Sequence, residues 1–188
     1  MPIYSKPYHR YKWLDLKKVS ACFLTHEENL IDVFYFTALT TWSPKKIERH
    51  ENYIRALESR GVKTVYGAFK EREVYCTNCK KIFLKSEEKR TDVNIAIHLL
   101  GLAQSDAYDR VLLITGDSDL IPAVEWVRRT HPIKRISVIT PPGRRMTKHL
   151  RAVATDAAII KEIQLQTSQL PTIMPNVDGL SILSPYSL

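Results

Sequence analysis

No stretch of this 188-residue chain stays apolar long enough to span a bilayer, so a helical membrane protein is excluded and no membrane partner is expected. Met1 to Lys18 is polar and aromatic, without the apolar core of a secretory signal. Cysteine is scarce: Cys22, Cys76 and Cys79 are the three present. An odd, small number argues against a disulfide scaffold and for a reducing, cytoplasmic setting. Cys22 sits on an apolar helix face and is expected to pack in the core. There is no internal repeat, and no nucleophilic triad is visible. Between Arg128 and Arg151 there is no Asp or Glu at all.

What remains suits one globular domain. Hydrophobic residues make up 44% of the chain and charged residues 26%, enough for a core. Lys plus Arg number 28 against 20 Asp plus Glu, a net charge of +8. That balance favours a polyanionic partner. Apolar spacing predicts a helix over 14–24, and β-branched and aromatic residues predict a strand over 31–38. Ser43 and Pro44 open a helix that runs to Ser59 and stops before Gly61. A strand follows over 62–69, then a helix from Asp92 with an apolar face of Val93, Ile95, Ala96, Leu99 and Leu100. Val111–Thr115 reads as a strand buried on both faces. Ser118–Arg129 is helical, Arg135–Ile139 a strand, Met146–Val153 a short helix, and Asp156–Ile160 a last strand. This alternation defines an α/β domain over 1–162 with a mostly parallel sheet. Residues 70–90 form a charged insertion. The tail, 163–188, lacks Lys and Arg and carries Pro171, Pro175 and Pro185; it is expected to be irregular and to lie on the surface or be partly disordered.

The sharpest chemical feature is Leu113-Ile-Thr-Gly-Asp117-Ser-Asp119. Ligands of open parallel sheets bind beyond the carboxyl ends of the strands, where these two acids fall. Two carboxylates so placed suit Mg²⁺ or Mn²⁺. A helix cap at Asp117 or Ser118, with Asp119 favouring the helix dipole, is the equal alternative. Asp92 starts a helix that could point at the same edge, and by itself reads as a cap. Asp156 reads as structural. The basic segment holds Arg128, Arg129, Lys134, Arg135, Arg144, Arg145, Lys148 and Arg151, eight cations. Arg144, Arg145 and Lys148 follow a strand and should lie on the carboxyl edge, where they would hold a nucleic-acid backbone; a solvated basic surface is the alternative. The aromatic-basic run from Tyr4 to Trp13 could stack on single-stranded RNA, though a lead-in to the first helix is preferred. Cys76-Thr-Asn-Cys79 has zinc-knuckle spacing but supplies two of the four ligands Zn²⁺ needs, so a solvent-exposed dithiol turn stays open beside it. His98 reads as a helix-face residue.

Three segments in order, Glu88-Lys-Arg-Thr-Asp92-Val-Asn-Ile-Ala, then 113–122, then Val138-Ile-Thr-Pro-Pro-Gly143, resemble the NYN domain family of PIN-like ribonucleases. The resemblance covers roughly Tyr11 to Ile160. It implies a PIN-like three-layer α/β sandwich with a mostly parallel central sheet, and an acidic cluster for Mg²⁺ or Mn²⁺. Asp92, Asp117 and Asp119 carry over as catalytic, metal-holding residues. The family's opening strand, ending in Asp-Gly-x-Asn, has no match here. A shortened N-terminus and a variant with impaired catalysis both remain open, and little or no nuclease activity is expected of the chain as it stands.

The reading that results is a metal-dependent ribonuclease acting on RNA phosphodiesters, with a homodimer as one assembly to test. The alternative is a catalytically impaired RNA-binding or interaction module of the same fold. A third reading, the Asp-x-Asp-x-Thr motif of haloacid-dehalogenase-like phosphatases, is disfavoured because Ile121 stands where Thr belongs.

Overall fold

The computed structural model describes residues 6–39, 42–175 and 181–185. A 3-10 turn at Lys6–Tyr11 leads to α1 (Leu16–Ala21), β1 (Phe34–Thr37), α2 (Pro44–Ser59) and β2 (Lys63–Tyr66). Then come β3 (Ala68–Tyr75), β4 (Ile82–Lys89), α3 (Thr91–Gln104) and β5 (Arg110–Ile114). A 3-10 turn at Ser118–Leu120 runs into α4 (Ile121–Thr130), followed by β6 (Arg135–Thr140), α5 (Lys148–Val153) and β7 (Asp156–Ile159). The chain ends with α6 (Glu162–Thr167), β8 (Ile173–Pro175) and β9 (Ser181–Leu183).

The strands β5, β6 and β7 pair in parallel in that order, and β1 pairs in parallel with β2. Alternation along β5 and β6 sets the layers, because successive side chains of a strand point to opposite faces. Val111, Leu113, Ile136 and Val138 pack with Leu99, Val124, Val127 and Leu150 of α3, α4 and α5. Leu112, Ile114 and Ile139 turn to the other face and meet Tyr11, Leu14, Val19 and Leu165. Helices therefore cover both faces, giving the expected α/β sandwich. Full burial of Ile136, Val138 and Ile139 contributes roughly 1.5–3 kcal/mol each. Among the described residues no strand pairs with both β1 and β5. Met1 to Tyr4, too few to supply the family's unmatched opening strand, lie outside the described residues.

Caps set the helix limits. Asp15, fully buried, precedes α1 and accepts from the Lys17 and Lys18 amides at 3.0 and 3.1 Å. Its second oxygen accepts from Arg60 Nε at 3.3 Å. Pro44 opens α2 as expected, and Gly61 takes φ +74 beyond its end. Ser43 occupies the cap position with extended backbone but makes no side-chain capping bond.

Several expectations need correction. The strand near 31–38 is four residues long, and Ile31 is exposed. The strand at 62–69 breaks at Gly67, and the charged insertion is an antiparallel hairpin, β3 with β4, whose register pairs Ala68 with Lys89 and Tyr75 with Ile82. Val93 is exposed and lies off the buried face of α3. Cys22 ends α1 as its C-cap, and this turns its side chain to solvent. The aromatic-basic run is the preferred lead-in to α1 and not the alternative stacking surface, since Tyr11 and Trp13 are buried; Tyr4 lies outside the described residues.

The tail is the largest correction. Leu170, Met174 and Ile182 pack into a second core with Trp13, Val33, Ala56, Leu57 and Val62. The backbone joins there too: the Asp15 amide donates to the Ser168 carbonyl at 2.7 Å and the Leu170 amide to the Trp13 carbonyl at 2.8 Å. Trp13 Nε1 adds a bond to the Pro171 carbonyl at 2.8 Å. Burying scattered apolar anchors against α2 outweighs the irregular, proline-containing sequence.

Candidate metal centre

Asp117 follows β5 after Thr115 and Gly116. Its amide donates to Thr115 Oγ1 at 3.1 Å, and the Thr115 amide donates to the Ile139 carbonyl at 3.0 Å, which extends the sheet to the edge of the site. Asp117 Oδ1 accepts from the Asp119 amide at 3.0 Å. The capping reading is therefore correct, and it coexists with the cluster, since a carboxylate has two oxygens and more acceptor capacity than one cap uses.

Asp92 comes from the other direction. The strand β4 turns into α3 through Arg90, which has φ +74, a conformation side-chain-bearing residues rarely adopt. Thr91 Oγ1 donates to Glu88 Oε1 at 2.6 Å, and Asn94 Nδ2 donates to the Tyr66 carbonyl at 3.1 Å. These bonds fix the first turn of α3 against the end of β2. Gly67 lets the backbones approach: a β-carbon there would lie 2.6 Å from Thr91 Oγ1 and 2.8 Å from the Lys89 carbonyl.

The outcome is convergence. One carboxylate oxygen each from Asp92, Asp117 and Asp119 lie within 4.8 Å of one another. Asp117 is half-buried and the other two are exposed. Burial, then Asp117 and Asp119, then Glu88 push the Asp92 carboxyl above the ordinary aspartate range. The cluster is thus a concentration of like charge, and its hard oxygen donors fit Mg²⁺ or Mn²⁺.

The basic loop lies alongside. Arg144 Cβ and Cδ come within 3.5 Å of where a β-carbon of Gly116 would sit, one residue before Asp117. Arg144, Arg145 and Lys148 are all exposed. Three of the other basic residues are committed elsewhere. Arg128 Nη1 donates to the Val153 carbonyl at 2.9 Å, Lys134 is buried against Asp106, and Arg135 bonds Asp156 at 3.4 Å. Asp156 is structural, as expected: burial pushes its carboxyl up, but the Ser137 hydroxyl, Arg110 and Arg135 hold it below the usual range. His98 Nδ1 bonds the Asn94 carbonyl at 2.8 Å, and the ring meets Phe34 and Phe36 edge-on. Cys76 and Cys79 lie in the turn between β3 and β4, and no third His, Cys, Asp or Glu among the described residues gathers with them.

Sequence reasoning missed the part played by Glu88, which acts on Asp92 through its charge, and by the left-handed Arg90. Glu88 stands in the first of the three family-like segments, where its acidic side chain is a usable signal; nothing in the sequence marks Arg90 for a positive φ.

Fold and site together define an α/β protein with a carboxylate cluster at the carboxyl edge of a parallel sheet. The chain belongs to the NYN domain family, which it matches over residues 1–161. It is 28% identical over 146 residues to 6-hydroxy-3-succinoylpyridine 3-monooxygenase HspA of Pseudomonas putida (strain DSM 28022 / S16). The match covers 75% of this chain but 46% of that protein, so the chain spans about half the length of its relative. In structure it is similar to VPA0982, a protein of unknown function from Vibrio parahaemolyticus RIMD 2210633, with a TM-score of 0.56 and 19% identity over 85% of this chain and 87% of the other. That likeness is one of fold. Among the described residues no helix is long and apolar enough to cross a membrane.

Proposed function

We propose that this protein is a cytoplasmic metal-dependent ribonuclease that hydrolyses RNA phosphodiester bonds at the Asp92, Asp117 and Asp119 cluster. The observation that carries the reading is the approach of the three carboxylates to within 4.8 Å of one another beside Arg144. Asp92, Asp117 and Asp119 would hold Mg²⁺ or Mn²⁺. Such an ion supplies charge neutralisation at a phosphodiester and a lowered pKa for the attacking water. Arg144, Arg145 and Lys148 hold the RNA backbone and orient it across the cluster. The Asp117 cap keeps the Asp119 turn in one conformation while substrate binds. The monooxygenase named above is a low-identity relative matched over less than half its length, and its oxidation activity is not carried over.

A second reading, an RNA-binding module without cleavage, is favoured by the cluster's size: it gathers three acids among the described residues. The experiment is to incubate the purified chain with labelled single-stranded RNA and Mn²⁺, alongside Asp117→Asn and an EDTA control. Cleavage that disappears in both controls supports the ribonuclease. Salt-sensitive binding without cleavage supports the binding module. Absence of both overturns the two together.

A further inference from the structure

The hairpin of β3 and β4 ends, at residues 76–81, in a tip that the proposed reaction does not use. Among the described residues its strands pair only with each other. Its turn is built around one sulfur. The Cys76 amide donates to the Lys81 carbonyl at 2.9 Å, and the Lys80 amide donates back to the Cys76 carbonyl at 2.9 Å. Lys80 takes φ +57, which curls the backbone around the Cys76 side chain. The Cys79 amide donates to Cys76 Sγ at 3.5 Å. Amides aimed at a sulfur favour the thiolate over the thiol, and thiolate is the form that binds metal.

We infer that this turn is half of a structural zinc site, which a second copy of the same chain completes. Structural zinc takes four ligands in a closed tetrahedron, commonly four thiolates. One chain offers Cys76 and Cys79, and among the described residues no third His, Cys, Asp or Glu gathers with them. A two-fold partner supplies an identical pair, so the site closes without any further residue type.

Two features of the same tip suit that partner. Four thiolates around one Zn²⁺ leave a net charge of about −2, and each chain places Lys80 and Lys81 at the turn to balance it. The flanking strands carry apolar residues that the chain itself leaves uncovered. Tyr75 and Ile82 are direct cross-strand partners, 56% and 64% exposed, and Leu84, also 64% exposed, follows on the same face. A second hairpin brought in by the zinc covers this strip.

The test uses the full chain, stripped with EDTA under reducing conditions and titrated with Zn²⁺ alone. The expected result is a doubling of mass by light scattering, with about one zinc for two chains. Co²⁺ in place of Zn²⁺ should give the visible bands of a tetrahedral thiolate site. Cys79→Ser, which changes an exposed side chain, should abolish both while leaving the circular dichroism and the melting curve unchanged. Ile82→Glu should weaken the zinc-linked dimer at least tenfold and leave the turn intact. A monomer that shows the thiolate bands of the loaded site, with or without added RNA, overturns the inference. So does a dimer that persists in EDTA or in Cys79→Ser. Carboxylates give no thiolate-to-metal bands, so the cobalt spectrum reads the cysteines apart from the Asp92, Asp117 and Asp119 cluster, and its failure leaves the ribonuclease proposal standing.

Discussion

Asp117 caps the turn that carries Asp119: its Oδ1 accepts the Asp119 amide at 3.0 Å. Two of the three clustered carboxylates are therefore held in register by one local bond. The third, Asp92, arrives from a different helix, and like charge opposes its ionisation.

Removing that charge gives the first prediction. Asp92→Asn should raise the stability of the metal-free protein by roughly 0.5 kcal/mol, since solvent screens exposed groups. That corresponds to ~1–2 °C in Tm. The further rise on adding Mn²⁺ to the wild type should shrink or vanish in the variant. Scanning fluorimetry with and without Mn²⁺ reads both. A lower metal-free Tm would mean that Asp92 is only a helix-start acid.

The second prediction concerns the basic loop. Arg144→Glu with Arg145→Glu should weaken RNA binding and flatten its dependence on salt. Each phosphate that a removed cation no longer neutralises takes about 0.7 from the log–log slope for a single strand, so a reduction of about 1–2 is expected. An unchanged slope would make this loop an ordinary solvated surface.

Two glycines should respond with opposite sign. Gly67→Ala forces a methyl against Thr91 and the Lys89 carbonyl, which should cost about 1–3 kcal/mol as overpacking does. It should also lower Mn²⁺ affinity, because Thr91 precedes Asp92. Gly101, inside α3, has nothing within 4 Å of a new β-carbon. Gly101→Ala should stabilise by roughly 0.5–1 kcal/mol and leave Mn²⁺ affinity alone. Denaturant melts and calorimetric titration of both variants check this.

Acid should release a different part of the molecule. Arg110 donates to Glu28 at 2.7 Å and to Asp156 at 3.2 Å. The Thr25 amide first, and then Arg110 against the cost of burial, hold Glu28 below its ordinary range; Asp156 is held low as well. A carboxyl with a depressed folded pKa contributes stability above its unfolded pKa and loses it as pH falls through the folded value. Stability should therefore drop as pH falls below the ordinary carboxylate range. Asp156→Asn should be less stable at neutral pH and show a shallower drop, seen in urea melts across the acid range. Parallel curves would place the acid sensitivity elsewhere.

The parts of this fold legible in sequence are those where a local signal and a tertiary demand agree. Pro44 and Gly61 bracket α2 because an imino acid fits a first helical turn and a positive φ ends one. The apolar run at 111–114 is too short for a helix and reads as a strand, which it is, with both faces packed. The expected full burial belongs instead to β6, since among the described residues β5 pairs on one side alone and stays mostly half-buried. Along β3 and β4 the period-two signal is weak, since charges such as Lys70, Glu71, Arg72 and Glu73 fall on both faces of a hairpin with little core to cover. In the tail Leu165, Leu170, Met174 and Ile182 are single anchors whose spacing follows neither helix nor strand, so only the tertiary packing reveals them. At the site, the three aspartates stand out because they recur in the order of a family motif and two of them follow an apolar strand. The turn at Arg90 does not, since its positive φ comes from the join between hairpin and helix.

The second core also imposes an order of events on synthesis. Val33, Ala56, Leu57 and Val62 emerge from the ribosome early, yet Leu170, Met174 and Ile182, which cover them, emerge about 110–120 residues after Val62. At 5–20 residues per second that is a delay of roughly 5–25 s. Throughout that interval the nascent chain carries an uncovered apolar face, a natural target for a holding chaperone. A fragment cut at the family boundary of residue 161 would carry the same bare face permanently and should aggregate.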